Sequence, residues 1–400
     1  MLIVQKFGGS SVADAAKIER VAGIIADTYN EGNEVVVVLS AQGDTTDDLI
    51  AKAQEINPNP SKRELDMLLS VGEQISISLM AMQFEKMRIP AVSLTGWQVG
   101  FETNNAYGAA RIKNISTERI LRELDKRRIV IVAGFQGKNQ FGDITTLGRG
   151  GSDTSAVALA AVLHADKCQI FTDVEGVFTA DPRKVKNARK LNEITYDEML
   201  ELSSLGAQVL HNRSVEMAKR YNVDLEVLSS YERKPGTKVK EAVKSVEQMI
   251  ISGIAKDTDA ARITVVGLPD SPGAAFKVFR AVGKAKVNID LIVQSIGKGG
   301  TNDISFTAPK GDVQAVLEVL EEHKATIGFD SVNVDNSIAK VSIVGAGMMS
   351  SSGIAAMMFE ALFNAGINIQ MISTSEIKVS VLIDGAYADQ AVSAIHDKFF

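Results

Sequence analysis

Residues 145–161 read TTLGRGGSDTSAVALAA, a glycine-rich loop that runs directly into an alanine-rich helix. Arg149 offers a planar fork of donors that suits a carboxylate or a phosphate. Ser152 is a favourable N-cap residue, and Asp153 falls in the first helical turn. Glycines beside Arg149 leave the loop backbone open to a ligand. The stretch therefore predicts an anion-binding loop at a helix N-terminus, with an ordinary turn as the alternative.

The first 230 residues, which surround this loop, alternate between strands and helices. Four apolar, β-branched runs are typical of strands buried on both faces: LIVQKF, EVVVVLS, RIVIVAGF and CQIFTD. A helix is predicted after the turn at 57–60, because Ser61 and Glu64 have capping-box spacing, and it continues through LDMLLSVGEQISISLMAMQFEKM. This alternation predicts an α/β fold with a mainly parallel sheet between helix layers, which binds ligands at the carboxyl ends of its strands.

Three glycine-bearing turns follow predicted strands: KFGGSS from Lys6, residues 134–150, and TDVEGVFTADPR from Thr172. In a parallel sheet all three lie at one edge. Glycines there allow backbone N–H groups to approach phosphate oxygens, and Lys6 supplies a point charge for a polyphosphate. None of the turns matches a P-loop or a G-x-G-x-x-G fingerprint. One such turn would be an ordinary βα connection, but three together favour a phosphate site.

The C-terminal part contains an internal repeat, separated from the first part by a linker at 231–248 that begins YERKPGT. One copy starts at Ile263 and the other at Val341. The first copy predicts a βαββαβ unit over 263–336. The second copy lacks its last strand, and we expect the run MIISGIAK before the first copy to fill that edge. The second unit would then comprise 249–262 and 337–400, with the first nested inside it.

Composition excludes several classes of protein. The 400 residues carry a formal net charge of −6, which disfavours nucleic acid as a partner. A single cysteine forms no internal disulfide and suits the cytoplasm. Four histidines without metal-pair spacing predict no protein-built metal site. The N-terminus lacks the pattern of a signal peptide, and we expect no membrane-spanning segment.

The motifs KFGGSS, SAQGDTTDDL, LLSVGEQIS, TTLGRGGSDTSAVALAA and TDVEGVFTADPR resemble those of the aspartate kinase family, within the amino-acid-kinase superfamily. The repeats resemble paired ACT domains, and the whole chain resembles the lysine- and threonine-sensitive bacterial type. The resemblance implies phosphorylation of the side-chain carboxylate of L-aspartate by ATP, with Mg²⁺ carried on the nucleotide. That reaction is the first step toward lysine, threonine and methionine.

The resemblance also implies roles for individual residues. The catalytic set is Lys6, Arg149 and Asp153. Aspartate is expected to contact Ser40, Thr45, Thr46, Glu73, Arg149, Gly150, Gly151 and Ser152, with Glu73 on its amino group. The nucleotide is expected to contact Lys6, Gly8, Gly9, Ser10, Thr172, Asp173, Phe178, Thr179, Asp181, Arg183 and Gln208.

Lysine, threonine or both are the effectors that the resemblance implies, bound in a homo-oligomer formed through the ACT domains. From the first copy we expect contacts from Asp270, Gly273, Ala274, Ala275 and Gln294. From the second copy we expect Met349, Asn368, Ile369, Ser373 and Glu376. Met249 is a candidate internal start for a separate regulatory subunit, although an ordinary core methionine explains it equally well.

Two departures from the family pattern leave alternatives open. Gln208 stands where many relatives carry a lysine in the nucleotide site, and it supplies no charge. Ser352 and Gly353 replace the Pro-Gly pair of the first copy. The alternatives are an amino-acid sensor with an inactive kinase part and a kinase for another acidic amino acid. The presence of Lys6, Glu73 and Arg149 argues against the first, and the motif SAQGDTTD argues against the second.

Overall fold

The computed structural model describes residues 1–206, 209–242, 250–297 and 300–400, and only the backbone of Met349 and Ser350. The chain forms two compact units. The first comprises most of the N-terminal part, and the second comprises the C-terminal part together with Thr179–Arg189. That short segment falls inside the predicted catalytic domain at 1–230, so the compact units of the structure do not coincide with the domain boundaries predicted from the sequence.

The first unit is built on one large sheet with the strand order β10-β12-β11-β9-β1-β2-β6-β3. Its strands are β1 (Leu2–Phe7), β2 (Glu34–Leu39), β3 (Ala91–Leu94), β6 (Ile129–Ala133), β9 (Lys167–Thr172), β10 (Glu193–Thr195), β11 (Leu225–Ser229) and β12 (Thr237–Lys240). The six strands from β11 to β3 are parallel, and β12 is antiparallel to β11. The four strands expected from their β-branched runs are β1, β2, β6 and β9, so the predicted parallel sheet is confirmed.

Helices cover both faces of this sheet. They are α1 (Ala15–Asn30), α2 (Thr45–Ile56), α3 (Lys62–Leu69), α4 (Val71–Lys86), α5 (Glu118–Leu124), α6 (Gly151–Val162), α7 (Tyr196–Ser204) and α8 (Asn212–Tyr221). Ser61 caps α3 by accepting a hydrogen bond from the N–H of Glu64, as predicted. The predicted single helix is wrong, because it is interrupted at Ser70. The carbonyl of Ser70 accepts hydrogen bonds from the side chains of Gln136 and Gln74 at the point where the helix breaks.

The two faces of the central strands have different neighbours. Phe7 and Val37 share one apolar cluster with Ile25 of α1 and Met80 of α4. Alternate strand residues point to the opposite face. Lys6 is directed there, where α6 packs against β1, β2 and β9. Helix α6 is buried on all sides from residue 151 to 160 because α8 covers its other side.

A small second sheet of the first unit was not expected from the sequence. It consists of β4 (Phe101–Thr103), β5 (Ile112–Ile115), β7 (Gln136–Lys138) and β8 (Ile144–Thr146), in the order β5-β4-β7-β8. Strand β8 leads directly into the loop that carries Arg149. The four strands are only three or four residues long, which is too short for a periodicity that a sequence reading could detect.

The second unit contains two antiparallel sheets, each covered by helices. The first has the order β15-β16-β14-β17 and consists of β14 (Ala260–Pro269), β15 (Ile292–Ile296), β16 (Thr301–Pro309) and β17 (Ser331–Asp335), with α9 (Ala274–Lys284), α10 (Val313–Glu322) and α11 (Lys324–Ile327). The second has the order β13-β18-β20-β19 and consists of β13 (Gly253–Asp257), β18 (Ile338–Val344), β19 (Met371–Thr374) and β20 (Lys378–Asp384), with α12 (Ile354–Asn364) and α13 (Ala388–Phe399).

Strand β13 precedes the first repeat in sequence but belongs to the sheet of the second. It pairs antiparallel with β18 from Gly253↔Val344 to Asp257↔Lys340. It thereby occupies the edge that corresponds to β17 in the first repeat. The prediction that the first βαββαβ unit is nested inside the second is confirmed.

Candidate active site

The loops that follow β1, β2, β6 and β9 all leave the same edge of the large sheet, and two of them are packed backbone to backbone. A Cβ placed on Gly9 would lie 2.5 Å from the carbonyl oxygen of Ala41. The N–H of Gly43 donates to the carbonyl of Gly9 at 3.0 Å. Glycine at position 9 therefore lets the loop after β1 reach the loop after β2, and it draws Gly8, Gly9 and Ser10 close to Ser40.

Lys6 and Asp153 form the ion pair at the centre of this edge. Nζ of Lys6 lies 2.6 Å from Oδ1 of Asp153, and each side chain is 12% exposed. Asp153 lies in the first turn of α6, where the positive end of the helix dipole also favours its negative charge. A Cβ on Gly8 would lie 3.6 Å from the ammonium group. The ion pair holds one cation in a fixed position beside Gly8, which, like the adjacent Gly9, has no side chain to cover its backbone N–H group.

The loop that carries Arg149 enters α6 through a left-handed residue. Gly150 is the N-cap, with φ of +66°, and Ser152 lies inside the helix. The expectation that Ser152 would be the N-cap is therefore wrong, because only glycine adopts this left-handed entry without strain. Gly151 also requires glycine, since a Cβ would lie 2.9 Å from the ring of Phe135. Arg149 is exposed and has no ion pair or hydrogen bond within the described ranges.

Glu73 is the buried carboxylate of the site. It lies in the first turn of α4 and is 3% exposed. Oε1 accepts a hydrogen bond from the N–H of Ala41 at 3.2 Å, whereas Oε2 has no hydrogen-bond partner among the residues that the structure describes. Burial raises the pKa of Glu73 to about 8, against the smaller opposing effect of backbone hydrogen bonds. A buried carboxylate with one unsatisfied oxygen is suited to a cationic ligand group.

The residues around Glu73 come from the loop after β2. Gly72 packs against this loop, since a Cβ there would lie 2.7 Å from Cβ of Ala41 and 3.6 Å from Cγ2 of Thr45. Thr45 begins α2, and its hydroxyl donates to the carbonyl of Gln42 at 2.6 Å. Ser40, Thr45 and Thr46 are all half-buried. The residues of this loop that are expected to bind the substrate aspartate therefore lie near the N-terminus of α4.

The residues expected around the nucleotide fall in both compact units. Thr172 is the last residue of β9 and Asp173 follows it, and the Thr172 hydroxyl donates to the Asp173 carboxylate at 3.1 Å. Phe178 also belongs to the first unit, whereas Thr179 and the pair of Asp181 and Arg183 belong to the second. Arg183 donates two side-chain hydrogen bonds to Asp181, which lower the pKa of that carboxyl. Gln208 lies outside the described residues.

In the second unit, a cavity of about 360 Å³ opens between the loop after β14 and strands β15 and β16. It gathers all five residues expected from the first repeat, Asp270, Gly273, Ala274, Ala275 and Gln294. Asn302 and Ile304 of β16 were missed, although their alternation along that strand places them on one face. The amide of Asn302 donates to Asp270 at 2.9 Å. Asp270 is the one charged residue among the described residues that line the cavity.

The residues expected from the second repeat are not linked to one another. Asn368 and Ile369 precede β19, Ser373 lies on it, and Glu376 follows it as an exposed residue. No hydrogen bond joins these side chains in the described part of the chain. The side chain of Met349 lies outside the described residues, as does all of Met249.

The first unit contains one long apolar stretch. The stretch Lys62–Lys86 is long and apolar enough to cross a membrane by length and composition, with 44% of its apolar window buried. Helices of a protein core pass the same test, and this stretch, which comprises α3 and α4, contains the buried Glu73. The expectation of no membrane-spanning segment stays a prediction. Within the described ranges, no group of three or more His, Cys, Asp or Glu residues is arranged to hold a metal ion.

Comparison with known proteins agrees with this architecture. Residues 1–229 match the amino acid kinase family, and residues 262–328 and 341–399 each match an ACT domain. Aspartokinase of Mycolicibacterium smegmatis is 53% identical over 403 residues, which cover 100% of this chain and 96% of that protein. The chain belongs to the aspartokinases of the amino acid kinase family.

Two solved structures of E. coli aspartokinase III are similar over 100% of this chain at 27% identity. The complex with aspartate and ADP, described as the R-state, aligns with a TM-score of 0.87 and is covered completely. The complex with lysine and aspartate, described as the T-state, aligns with a TM-score of 0.76 and is 99% covered.

Proposed function

We propose that this aspartokinase transfers the γ-phosphoryl group of ATP to the side-chain carboxylate of L-aspartate and gives 4-phospho-L-aspartate. The observation that carries the proposal is a combination within one unit. It consists of the Lys6–Asp153 ion pair, an oxygen of Glu73 and the guanidinium of Arg149, the last two without a partner among the described residues. An α-amino acid with a second carboxylate requires one anion and one cation to bind it, and a phosphoryl group requires a further cation.

Glu73 binds the ammonium group of aspartate. Its second oxygen is buried without a partner, so an incoming ammonium group replaces an unfavourable environment with an ion pair. Arg149 binds a carboxylate through its fork of donors. The hydroxyl groups of Ser40, Thr45, Thr46 and Ser152 and the N–H groups of Gly150 and Gly151 complete the aspartate site.

Lys6 neutralises the charge on the transferred phosphoryl group. The side chain of Asp153 holds the ammonium group of Lys6 at 2.6 Å and so fixes its position before the nucleotide binds. Gly8, Gly9 and Ser10 provide the backbone path for the phosphates. The attacking group is already a carboxylate, so the site requires in-line positioning and charge neutralisation rather than a strong general base.

The proposed nucleotide contacts are those that the resemblance to the aspartate kinase family implies, namely Thr172, Asp173, Phe178, Thr179, Asp181, Arg183 and Gln208. Mg²⁺ enters as part of the Mg-ATP substrate and shields the charge between its phosphates. The carboxylate of Asp153 is already paired with Lys6, whose ammonium group lies beside Gly8.

Lysine, alone or together with threonine, is the proposed feedback inhibitor. The cavity of the first ACT domain offers the carboxylate of Asp270 to an ammonium group. It also offers the left-handed turn at Gly273 and the N-terminus of α9 to a carboxylate. The second ACT domain contributes Met349, Asn368, Ile369, Ser373 and Glu376. Inhibition requires that the effector bind one of two enzyme states more tightly.

The wider setting also belongs to this proposal. The enzyme acts in the cytoplasm in the pathway to lysine, threonine and methionine, and it forms homo-oligomers through its ACT domains. The domain boundaries are 1–230, 231–248, 263–336, and 249–262 with 337–400. Met249 is a possible start for a separate regulatory subunit.

The test is formation of an acyl phosphate from Mg-ATP and L-aspartate, trapped with hydroxylamine. L-Glutamate and N-acetylglutamate serve as competing substrates, and lysine and threonine are added singly and together. We expect hydroxamate from L-aspartate that is lost in Arg149→Ala. ATP binding without product from L-aspartate would move the assignment to another acidic substrate.

A further inference from the structure

The first turn of α8 contacts the loop that carries Arg149. Arg213 of this turn is half-buried. Its Nη1 donates to the carbonyl of Leu147 at 3.0 Å and its Nη2 donates to the carbonyl of Ala110 at 3.0 Å. No carboxylate pairs with it in the described part of the chain. Burial lowers the pKa of its guanidinium, so the protein loses solvation energy to keep this cation against two backbone carbonyls.

The two carbonyls belong to segments that are already joined at a second point. The N–H of Ala110 donates to the carbonyl of Thr146 at 2.8 Å. The buried carboxylate of Asp66 accepts from the N–H of Gly108 and from both the N–H and the hydroxyl of Thr146, at 2.7–3.0 Å. Asp66 and Arg213 therefore fix the position at which the chain leaves β8 and enters the loop.

The same turn of α8 also contacts the far end of the loop. A Cβ on Gly150 would lie 2.2 Å from the ring of His211, so the imidazole packs directly against this residue. His211 is the N-cap of α8, and its Nδ1 accepts a hydrogen bond from the N–H of Arg213. Residues 211 and 213 thus hold Gly150 and Leu147, which flank the short segment with Arg149.

Arg149 itself has no partner among the described residues that fixes its direction, so the backbone on each side of it decides where its guanidinium points. We propose that Arg213 is a positioning residue for aspartate binding, which sets the location of Arg149 by holding the carbonyls of Leu147 and Ala110. The inference rests on the proposed function. It predicts a role in the binding of the amino acid and none in the binding of ATP, because the acceptors of Arg213 lie on the Arg149 loop and on the neighbouring segment that contains Ala110.

Arginine is required at this position for a geometrical reason. A guanidinium presents two N–H groups in a rigid plane and reaches two acceptors at once, whereas the ammonium group of lysine is a single point on a flexible stem. Lysine retains the charge and loses the bridge between the two segments. Alanine leaves both carbonyls without their donor.

The experiment compares Arg213→Lys and Arg213→Ala with Arg220→Ala. Arg220 is the matched control, since it lies on the same helix and forms an exposed i,i+4 pair with Glu216 at 3.3 Å. Initial rates are measured against aspartate and against ATP. Guanidinium chloride at millimolar concentration is then added to each variant. When a side chain that positions the substrate is displaced by about 1 Å, the reaction rate can fall on the order of 100-fold.

We expect Arg213→Ala to lower kcat/KM for aspartate by about 100-fold through KM, with an unchanged KM for ATP and partial rescue by guanidinium. Arg213→Lys should fall between it and the wild type, and Arg220→Ala should match the wild type. If Arg213→Ala does not fold, the lysine variant decides the question by the same split between the two KM values. Equal changes in both KM values, or no change, would overturn the proposal. A wild-type enzyme that is inactive on aspartate would instead contradict the proposed function.

Discussion

Replacement of Glu73 by glutamine should stabilise the free enzyme at neutral pH and weaken its binding of aspartate. Glutamine has nearly the same shape and cannot ionise. Its amide oxygen can accept the hydrogen bond that the N–H of Ala41 donates to Oε1. The change therefore removes one property of the site, namely the ability of a buried group to become negatively charged.

The magnitude follows from the pKa of Glu73, which burial raises from 4.5 to about 8. Below about pH 4.5 the carboxyl is protonated in both the folded and the unfolded chain, so its contribution to stability is then fully present. Between pH 4.5 and pH 8 the unfolded chain loses this proton and the folded chain retains it. Folding stability then falls by up to about 1.4 kcal/mol per pH unit. The accumulated loss at pH 7 is at most about 3 kcal/mol.

The assay is urea unfolding of wild type and Glu73→Gln at pH 5, 7 and 9, with Glu55→Gln as the control. Glu55 is an exposed glutamate of α2. We expect Glu73→Gln to become progressively more stable than wild type as pH rises, and we expect the control to show no such trend. A stability difference between Glu73→Gln and wild type that stays constant across this range would refute the reasoning about the buried carboxyl.

The same titration links Glu73 to substrate binding. An ammonium group that binds to Glu73 requires the ionised carboxylate, so at pH 7 aspartate should release close to one proton from the enzyme. Calorimetry in buffers of different ionisation enthalpy measures that proton. Aspartate binding to Glu73→Gln should release none and should be weaker on the order of 100-fold, as expected for loss of a buried charged partner.

Three further predictions concern other parts of the chain. Lys6→Met should lower kcat on the order of 100-fold or more with little change in the KM for aspartate, because it removes the cation of the phosphoryl site; steady-state rates measure this. Asp270→Asn should raise the lysine concentration for half-inhibition about tenfold or more and leave the uninhibited rate unchanged, because the cavity loses its one carboxylate; an inhibition titration measures this. Burial lowers the pKa of His396 below its usual 6.5, so its contribution to stability is full above pH 6.5 and is lost as the pH falls below it. A fall from pH 7 to pH 5 should therefore lower the melting temperature of the wild type more than that of His396→Gln, as measured by thermal unfolding.

The main elements of the fold could be predicted because their signal is local. The strands β1, β2, β6 and β9 are continuous apolar runs, and the two repeats share a pattern that reveals their common unit. The strand β13 could be assigned to its partner β18 by a physical argument, since the second repeat lacked one edge strand. Long periodic segments and internal symmetry are both visible in the sequence alone.

The details that failed depend on contacts between distant residues. The helix break at Ser70 depends on Gln136, which follows it by 66 positions in the chain. The ring of His211 leaves no room for a side chain at the N-cap residue Gly150, and no local pattern places that ring there. The local propensity of Ser152 for the N-cap did not decide where the helix begins.

The candidate site shows the same division. Lys6, Gly9 and Asp153 could be identified because glycines and charges follow predicted strands at one edge. The environment of Glu73 could not be identified in this way, since its burial and its unsatisfied oxygen result from the packing of α4 against the loop after β2. Arg213 was missed for the same reason, because its two acceptors are backbone carbonyls that carry no signature in the sequence.

The measurement that tests the central claim most directly is NMR of the product formed from aspartate labelled with ¹³C at its side-chain carboxyl carbon. The enzyme is incubated with Mg-ATP, and carbon and phosphorus spectra are recorded before the acyl phosphate hydrolyses. We predict a new carbon signal that is split by coupling to phosphorus and is absent in Lys6→Met. ATP consumption that leaves the labelled carboxyl signal unsplit would contradict the assignment of aspartate's side chain as the phosphoryl acceptor.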